Sequence, residues 1–176
     1  MKVFGLGHEK NGSTYLCNLL NTNGFNVGHE TYGPDGVIGF NTHEFLIKDA
    51  IFYYTRDPRK AVHSVMTFLN NSNEYEKKAK VIYNRFDIDI LDIQGIDRAI
   101  ASLWYWKQLC FLYNPQYIFR VDKDPISKLE TIIQKPLPIV DVDRNEGVKI
   151  NYDLSQASDI WLDRLNILSK ELGYFD

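Results

Sequence analysis

The stretch K2-VFGLGHEKNGSTY-L16 decides the fold. Its apolar opening, Lys2 to Leu6, reads as a buried strand, and from Ser13 onward Tyr15, Leu16, Leu19 and Leu20 recur at helical spacing until Asn23-Gly24 stops the pattern. Between them, Gly7 and Gly12 have the separation of a Walker A loop, G-x-x-x-x-G-K-[ST], in which backbone N–H groups wrap phosphates and a lysine contacts the outer ones. Here Ser13 stands where that lysine belongs, and Lys10 lies inside the loop. The helix start still offers N–H groups and its positive dipole end to an anion, and the Ser13 and Thr14 hydroxyls add donors.

Outward from this unit the chain alternates. Phe25 to Gly28 reads as a short second strand ending at His29-Glu30, and Gly33-Pro34-Asp35-Gly36 marks a loop. Val37 to Phe40 is a strand or an extended part of that loop, while Thr42 to Ile47 has no decisive pattern. Asp49 to Thr55 is β-branched and aromatic without polar alternation, as in a central strand covered on both faces. Asp57-Pro58 starts a helix with Ala61, Val62, Val65, Met66 and Leu69 as its apolar stripe, ended by the cluster Asn70 to Asn73. Glu74 to Phe86 is charged and reads as helical or mobile. Asp97 to Tyr113 is a strong helix, Gln116 to Val121 a strand, Ser127 to Gln134 a short helix and Lys135 to Asp143 irregular. The last helix spans Ser155 to Leu172, with Ser155 as cap and Gly173 as stop. The expectation is an α/β protein: one domain over residues 1–176, three layers, a mostly parallel sheet with helices on both faces, P-loop-like.

At 176 residues and 44% hydrophobic content the chain suits one domain with a substantial core. A net charge of −3, with both signs spread along the chain, argues against a general binder of nucleic acid or membrane surface, so an anion has to be held by local charge. Cys17 and Cys110 sit far apart in apolar helical contexts and read as buried free thiols. The first apolar run is too short for a signal peptide or a spanning helix. A reducing, cytoplasmic setting is the expectation.

A second anion anchor lies in YYTRDPRKAVHSV. Arg56 ends the predicted central strand and Ser64 follows eight residues later in the next helix. An arginine there can clamp a phosphate bidentately, a serine hydroxyl can complete its coordination, and Arg59 and Lys60 add positive potential. Anion sites at two neighbouring strand ends call for a ligand with phosphates at both ends.

With both anchors in place, the sequence resembles the sulfotransferase family that uses 3′-phosphoadenosine 5′-phosphosulfate (PAPS). That family's 5′-phosphosulfate loop, K-x-G-[ST]-T, matches Lys10-Asn11-Gly12-Ser13-Thr14, and its 3′-phosphate motif, an arginine closing a strand with a serine eight positions on, matches Arg56-Asp57-Pro58 and Ser64. Looser matches are Phe25 to Glu30 with Gly33 to Gly36, Leu103-Trp104-Tyr105-Trp106, and Ile118 to Asp122. The resemblance implies transfer of a sulfuryl group from PAPS to a hydroxyl or amine of a small-molecule or glycan acceptor, without an obligatory metal. Lys10, Asn11, Gly12, Ser13 and Thr14 would hold the 5′ side and Arg56 and Ser64 the 3′-phosphate. Lys10 would stabilise the bridging oxygen as it leaves. Glu30 or His29 would take the acceptor proton, with His8, His43 and Glu44 as further candidates. Arg144 or Lys149 would close over the 3′-phosphate. Trp104 reads as core, Asp122 as structural and His63 as helix surface. Two other readings of the same residues are a small P-loop kinase and a non-catalytic module that binds adenosine bisphosphate.

Overall fold

Five segments pair into one sheet: β1 (Val3–Leu6), β2 (Gly28–His29), β3 (Gly36–Gly39), β4 (Ile51–Thr55) and β5 (Tyr117–Arg120). The computed structural model describes residues 2–8, 10–39, 51–69, 73–142 and 150–175. Every strand pairing is parallel and the order is β2-β3-β1-β4-β5, with Leu6 opposite Gly39 on one side and Tyr53 on the other. The protein is thus α/β with one parallel sheet. The helices are α1 (Ser13–Thr22), α2 (Pro58–Leu69), α3 (Asn73–Phe86), α4 (Gly95–Phe111), α5 (Ile126–Ile133) and α6 (Asp159–Glu171). Expected elements outside the described residues are Thr42 to Ile47 and the Asn70 to Ser72 stop.

The chain divides into two compact units, Met1–Arg56 with Cys110–Gly147, and Asp57–Leu109 with Val148–Asp176. The first contains the whole sheet. Alternation along the strands splits its side chains between two faces. Val3, Ile38, Phe52, Tyr54 and Phe119 form a buried cluster with Leu16, Leu19 and Leu20 of α1 and Leu129, Ile132 and Ile133 of α5. On the opposite face Tyr53 meets Phe111, at the end of α4, edge to face at 5.2 Å. Within this unit α1 and α5 cover one face of the sheet. Asn21 fixes the route from α1 to β2: its amide donates to the Val27 carbonyl at 3.0 Å and accepts from the Val27 N–H at 2.8 Å. Cys17 and Cys110 are buried and free, as expected.

The second unit is helical. Trp106 is buried beneath the Lys78 ammonium, 4.5 Å from its ring, whereas Trp104, the expected core residue, is only half-buried. His63 is not a plain surface residue: its Nδ1 accepts from the Tyr152 N–H at 2.9 Å and its ring stacks on Tyr152. Arg59 donates to Asn166 at 2.7 Å and lies over the Phe175 ring. Ser155 does not cap the last helix. The Asp153 carboxylate accepts from the Ser155 N–H and closes a 3-10 turn over Leu154–Gln156, Ala157 is extended, and the helix starts after Ser158. Among the described residues no helix is long and apolar enough to cross a membrane.

Candidate functional site at the carboxyl edge of the sheet

From β1 the chain moves outward to β2 and β3, then returns past β1 to β4 and β5. The reversal lies between β1 and β4, and in open parallel sheets ligands settle at the carboxyl ends of strands on either side of such a reversal. The loop after β1 carries Lys10 to Gly12, and Arg56 directly follows β4. Both anchors of the first unit thus follow the carboxyl ends of the two strands on either side of this reversal.

The loop is built for close approach. Asn11 N–H turns back to the His8 carbonyl at 2.9 Å, and the first helical bond runs from Leu16 N–H to the Gly12 carbonyl at 3.0 Å. Gly12 adopts φ +98°, and a Cβ there would sit 2.9 Å from Val121 Cγ1, so both conformation and space require glycine. No side chain caps α1 and its first turn has no acidic residue, which leaves its dipole end suited to an external anion. Lys10 and Thr14 are half-buried, while Asn11 and Ser13 are almost fully enclosed. Among the described residues the Asn11 Oδ1 is buried without a hydrogen-bond partner. A buried polar group in that state is uncommon, and one on this loop suits a site completed by a ligand. Burial pushes the Tyr54 phenol far above its ordinary range, and the neighbouring Ser13 hydroxyl offsets this only in part.

The end of β2 reaches the same loop. His29 Nε2 lies 3.0 Å from Ser13 Oγ and 3.5 Å from Glu30 Oε1. Burial holds the His29 imidazole below its ordinary 6.5, so the ring is neutral at pH 7. Glu30 has φ +62°, a left-handed conformation unusual for a residue with a side chain. Its N–H donates to the Ile38 carbonyl at 2.9 Å, and Gly39 leaves room for it, since a Cβ on Gly39 would meet Glu30 Cα at 2.9 Å. Backbone strain of about 1–2 kcal/mol held by surrounding structure marks candidate reactive positions.

Arg56 is half-buried, and among the described residues no carboxylate is paired with its guanidinium. Ser64 is half-buried on α2 of the second unit. His8 is buried beside the loop, which does not suit a base that must meet a free acceptor. His43, Glu44, Arg144 and Lys149 lie outside the described residues.

Sequence reading missed a charged cluster at the end of β5. Arg120, paired in register with Thr55, donates through Nε and Nη2 to Asp124 Oδ1 at 2.9 and 2.6 Å, and Lys128 reaches Asp124 Oδ2 at 2.8 Å. Asp124 is the carboxylate that holds this cluster, and Asp122 is exposed. Burial alone would raise the Asp124 carboxyl, but Arg120 and Lys128 outweigh it and hold it below 3.8. Asp124→Asn is expected to lower stability in urea by about 2 kcal/mol at pH 7, below the cost of a fully buried broken pair because both cations keep some solvent. A carboxyl depressed on folding stabilises above its unfolded value and loses that contribution as pH falls through the folded one. The gap between the two proteins should therefore close in acid.

No family model, curated protein or solved structure matches this chain.

Proposed function

We propose that the chain is a PAPS-dependent sulfotransferase, carrying a sulfuryl group to a hydroxyl or amine acceptor. The observation that carries this reading is the pair of anion anchors at the carboxyl ends of neighbouring strands, an uncapped glycine loop with an internal lysine after β1 and, after β4, Arg56, which has no ion pair among the described residues. Their placement suits a ligand with phosphate groups on both sides of a nucleoside. Ser13 stands after the second glycine of the loop, where a P-loop kinase carries its lysine, which favours this reading over a P-loop kinase.

PAPS supplies an activated sulfuryl group on a phosphate leaving group. The α1 amides and the Ser13 and Thr14 hydroxyls would bind the 5′-phosphate, Arg56 the 3′-phosphate, and Lys10 the bridging oxygen on which charge grows. The acceptor proton goes to the Glu30 and His29 pair, of which the imidazole is already neutral. Free buried thiols suit a reducing, cytoplasmic setting, and the acceptor is a small molecule or glycan with no nucleic-acid or membrane partner.

Incubation with PAPS labelled in its sulfuryl group and a panel of alcohol, phenol, amine and sugar acceptors tests the reading. Labelled product that depends on the protein is expected. Glu30→Gln or His29→Asn should then reduce product formation by about 10²–10³-fold with donor affinity kept. Product formation that ignores both substitutions would remove the pair from the chemistry.

A further inference from the structure

Trp104, which the helical pattern assigned to the core, stands half-buried on the second unit together with Tyr105, Trp161 and Arg164. Trp161 and Arg164 lie three residues apart and so share a side of α6. The Arg164 guanidinium carbon is 4.5 Å from the centre of the Trp161 ring and 5.8 Å from that of Trp104, and its Nη1 donates to the Tyr105 hydroxyl at 3.3 Å. Tyr105 in turn meets Trp161 edge to face at 6.3 Å and Phe86 at 5.2 Å. The two helices that carry this group are pinned on either side of it. Asp97 on α4 accepts from the Ser158 N–H at 2.9 Å just before α6 starts, and near their far ends Lys107 donates to Glu171 at 2.8 Å.

No carboxylate accompanies the cation. The positions three and four residues from Arg164 along α6 are Ile160, Trp161, Ile167 and Leu168, so its own helix offers it none. Among the described residues no ion pair reaches it from elsewhere. A guanidinium carries its N–H donors in a planar fork, and the Tyr105 hydroxyl engages only Nη1. Aromatic faces attract the charge but leave the rest of the fork unused.

We propose that Arg164, framed by Trp104, Tyr105 and Trp161, binds a carboxylate carried on a ring, either a sugar acid or an aromatic acid. The fork matches a carboxylate bidentately, which selects an acid over a neutral molecule. The indoles offer flat apolar surface, which selects a ring over a short chain. Guanidinium and indole N–H groups donate and do not accept, so an uncharged sugar finds few partners for its own hydroxyl hydrogens. The site lies wholly on the helical unit and does not rest on the sulfotransferase reading.

The test is titration of the whole chain with glucuronate, benzoate, glucose and acetate, followed by calorimetry and by the indole ¹⁵N–H signals of its three tryptophans. Glucuronate or benzoate should bind saturably and at least about tenfold tighter than glucose or acetate, and the tighter of the two acids identifies the ring. The Trp104 and Trp161 signals should move with binding, whereas that of Trp106, buried against Lys78, should stay. Arg164→Gln should weaken the preferred acid by at least about tenfold, and Arg164→Lys, which keeps the charge without the fork, should recover only part of that loss. If Arg164→Gln does not fold, the indole signals of the unaltered chain and the affinity of Arg164→Lys decide. Absence of binding by both ring acids, affinity for glucose or acetate equal to theirs, or binding that leaves Trp104 and Trp161 unmoved overturns the proposal. So does full affinity in a folded Arg164→Gln or in Arg164→Lys.

Discussion

Lys10→Ala is expected to lower sulfuryl transfer by about 10²–10³-fold while changing affinity for adenosine 3′,5′-bisphosphate by no more than about threefold. The asymmetry follows from where charge develops. On the proposed reading the ground-state 5′-phosphate would be held by the amides at the start of α1, a cradle that needs the backbone of Gly12 and no lysine. As the bond to the bridging oxygen breaks, negative charge grows on that oxygen, and a lysine inside the loop meets it where one after the second glycine would not. Steady-state rates with labelled donor, set beside calorimetric titration of the bisphosphate, separate the two effects. Binding and turnover lost in equal proportion would make Lys10 a plain phosphate anchor.

Arg56→Ala should act the other way. Loss of a bidentate guanidinium contact to a phosphate removes about 1.5–3 kcal/mol, which weakens the bisphosphate by roughly 10–150-fold. Adenosine 5′-monophosphate, lacking the 3′-phosphate, should lose almost nothing. Arg56 makes no ion pair among the described residues, so its removal strands no carboxylate among them. Arg56→Lys keeps charge without the fork and should recover only part of the affinity. An equal loss for both nucleotides would place the 3′-phosphate elsewhere.

The first strand, loop and helix were legible because their signals are local. Glycines bracket the loop, and the change from a continuous apolar run to helical spacing needs no partner to be seen. The sheet followed from alternating elements and Arg56 from its place after an unbroken apolar strand. The contact between His29 and Ser13 was not legible, because β2 lies beyond β3 from β1 and only the register of three strands brings its end to the loop. Asp124 was hidden for a related reason: it sits past the strand in a turn, where no periodicity announces that its carboxylate folds back on Arg120. Ser155 misled as a cap because Asp153, two residues earlier, captures its N–H in a separate turn. His63 gave no sign on its own helix of the Tyr152 N–H that it accepts.

Calorimetric titration of the protein with adenosine 3′,5′-bisphosphate, against ATP with magnesium in parallel, tests the central claim most directly. A site with phosphate anchors on either side of a nucleoside predicts saturable one-to-one binding of the bisphosphate, at least about tenfold tighter than ATP, with a matching rise in Tm because the ligand binds only the folded chain. Equal affinity for the two, or tighter binding of ATP, would contradict it.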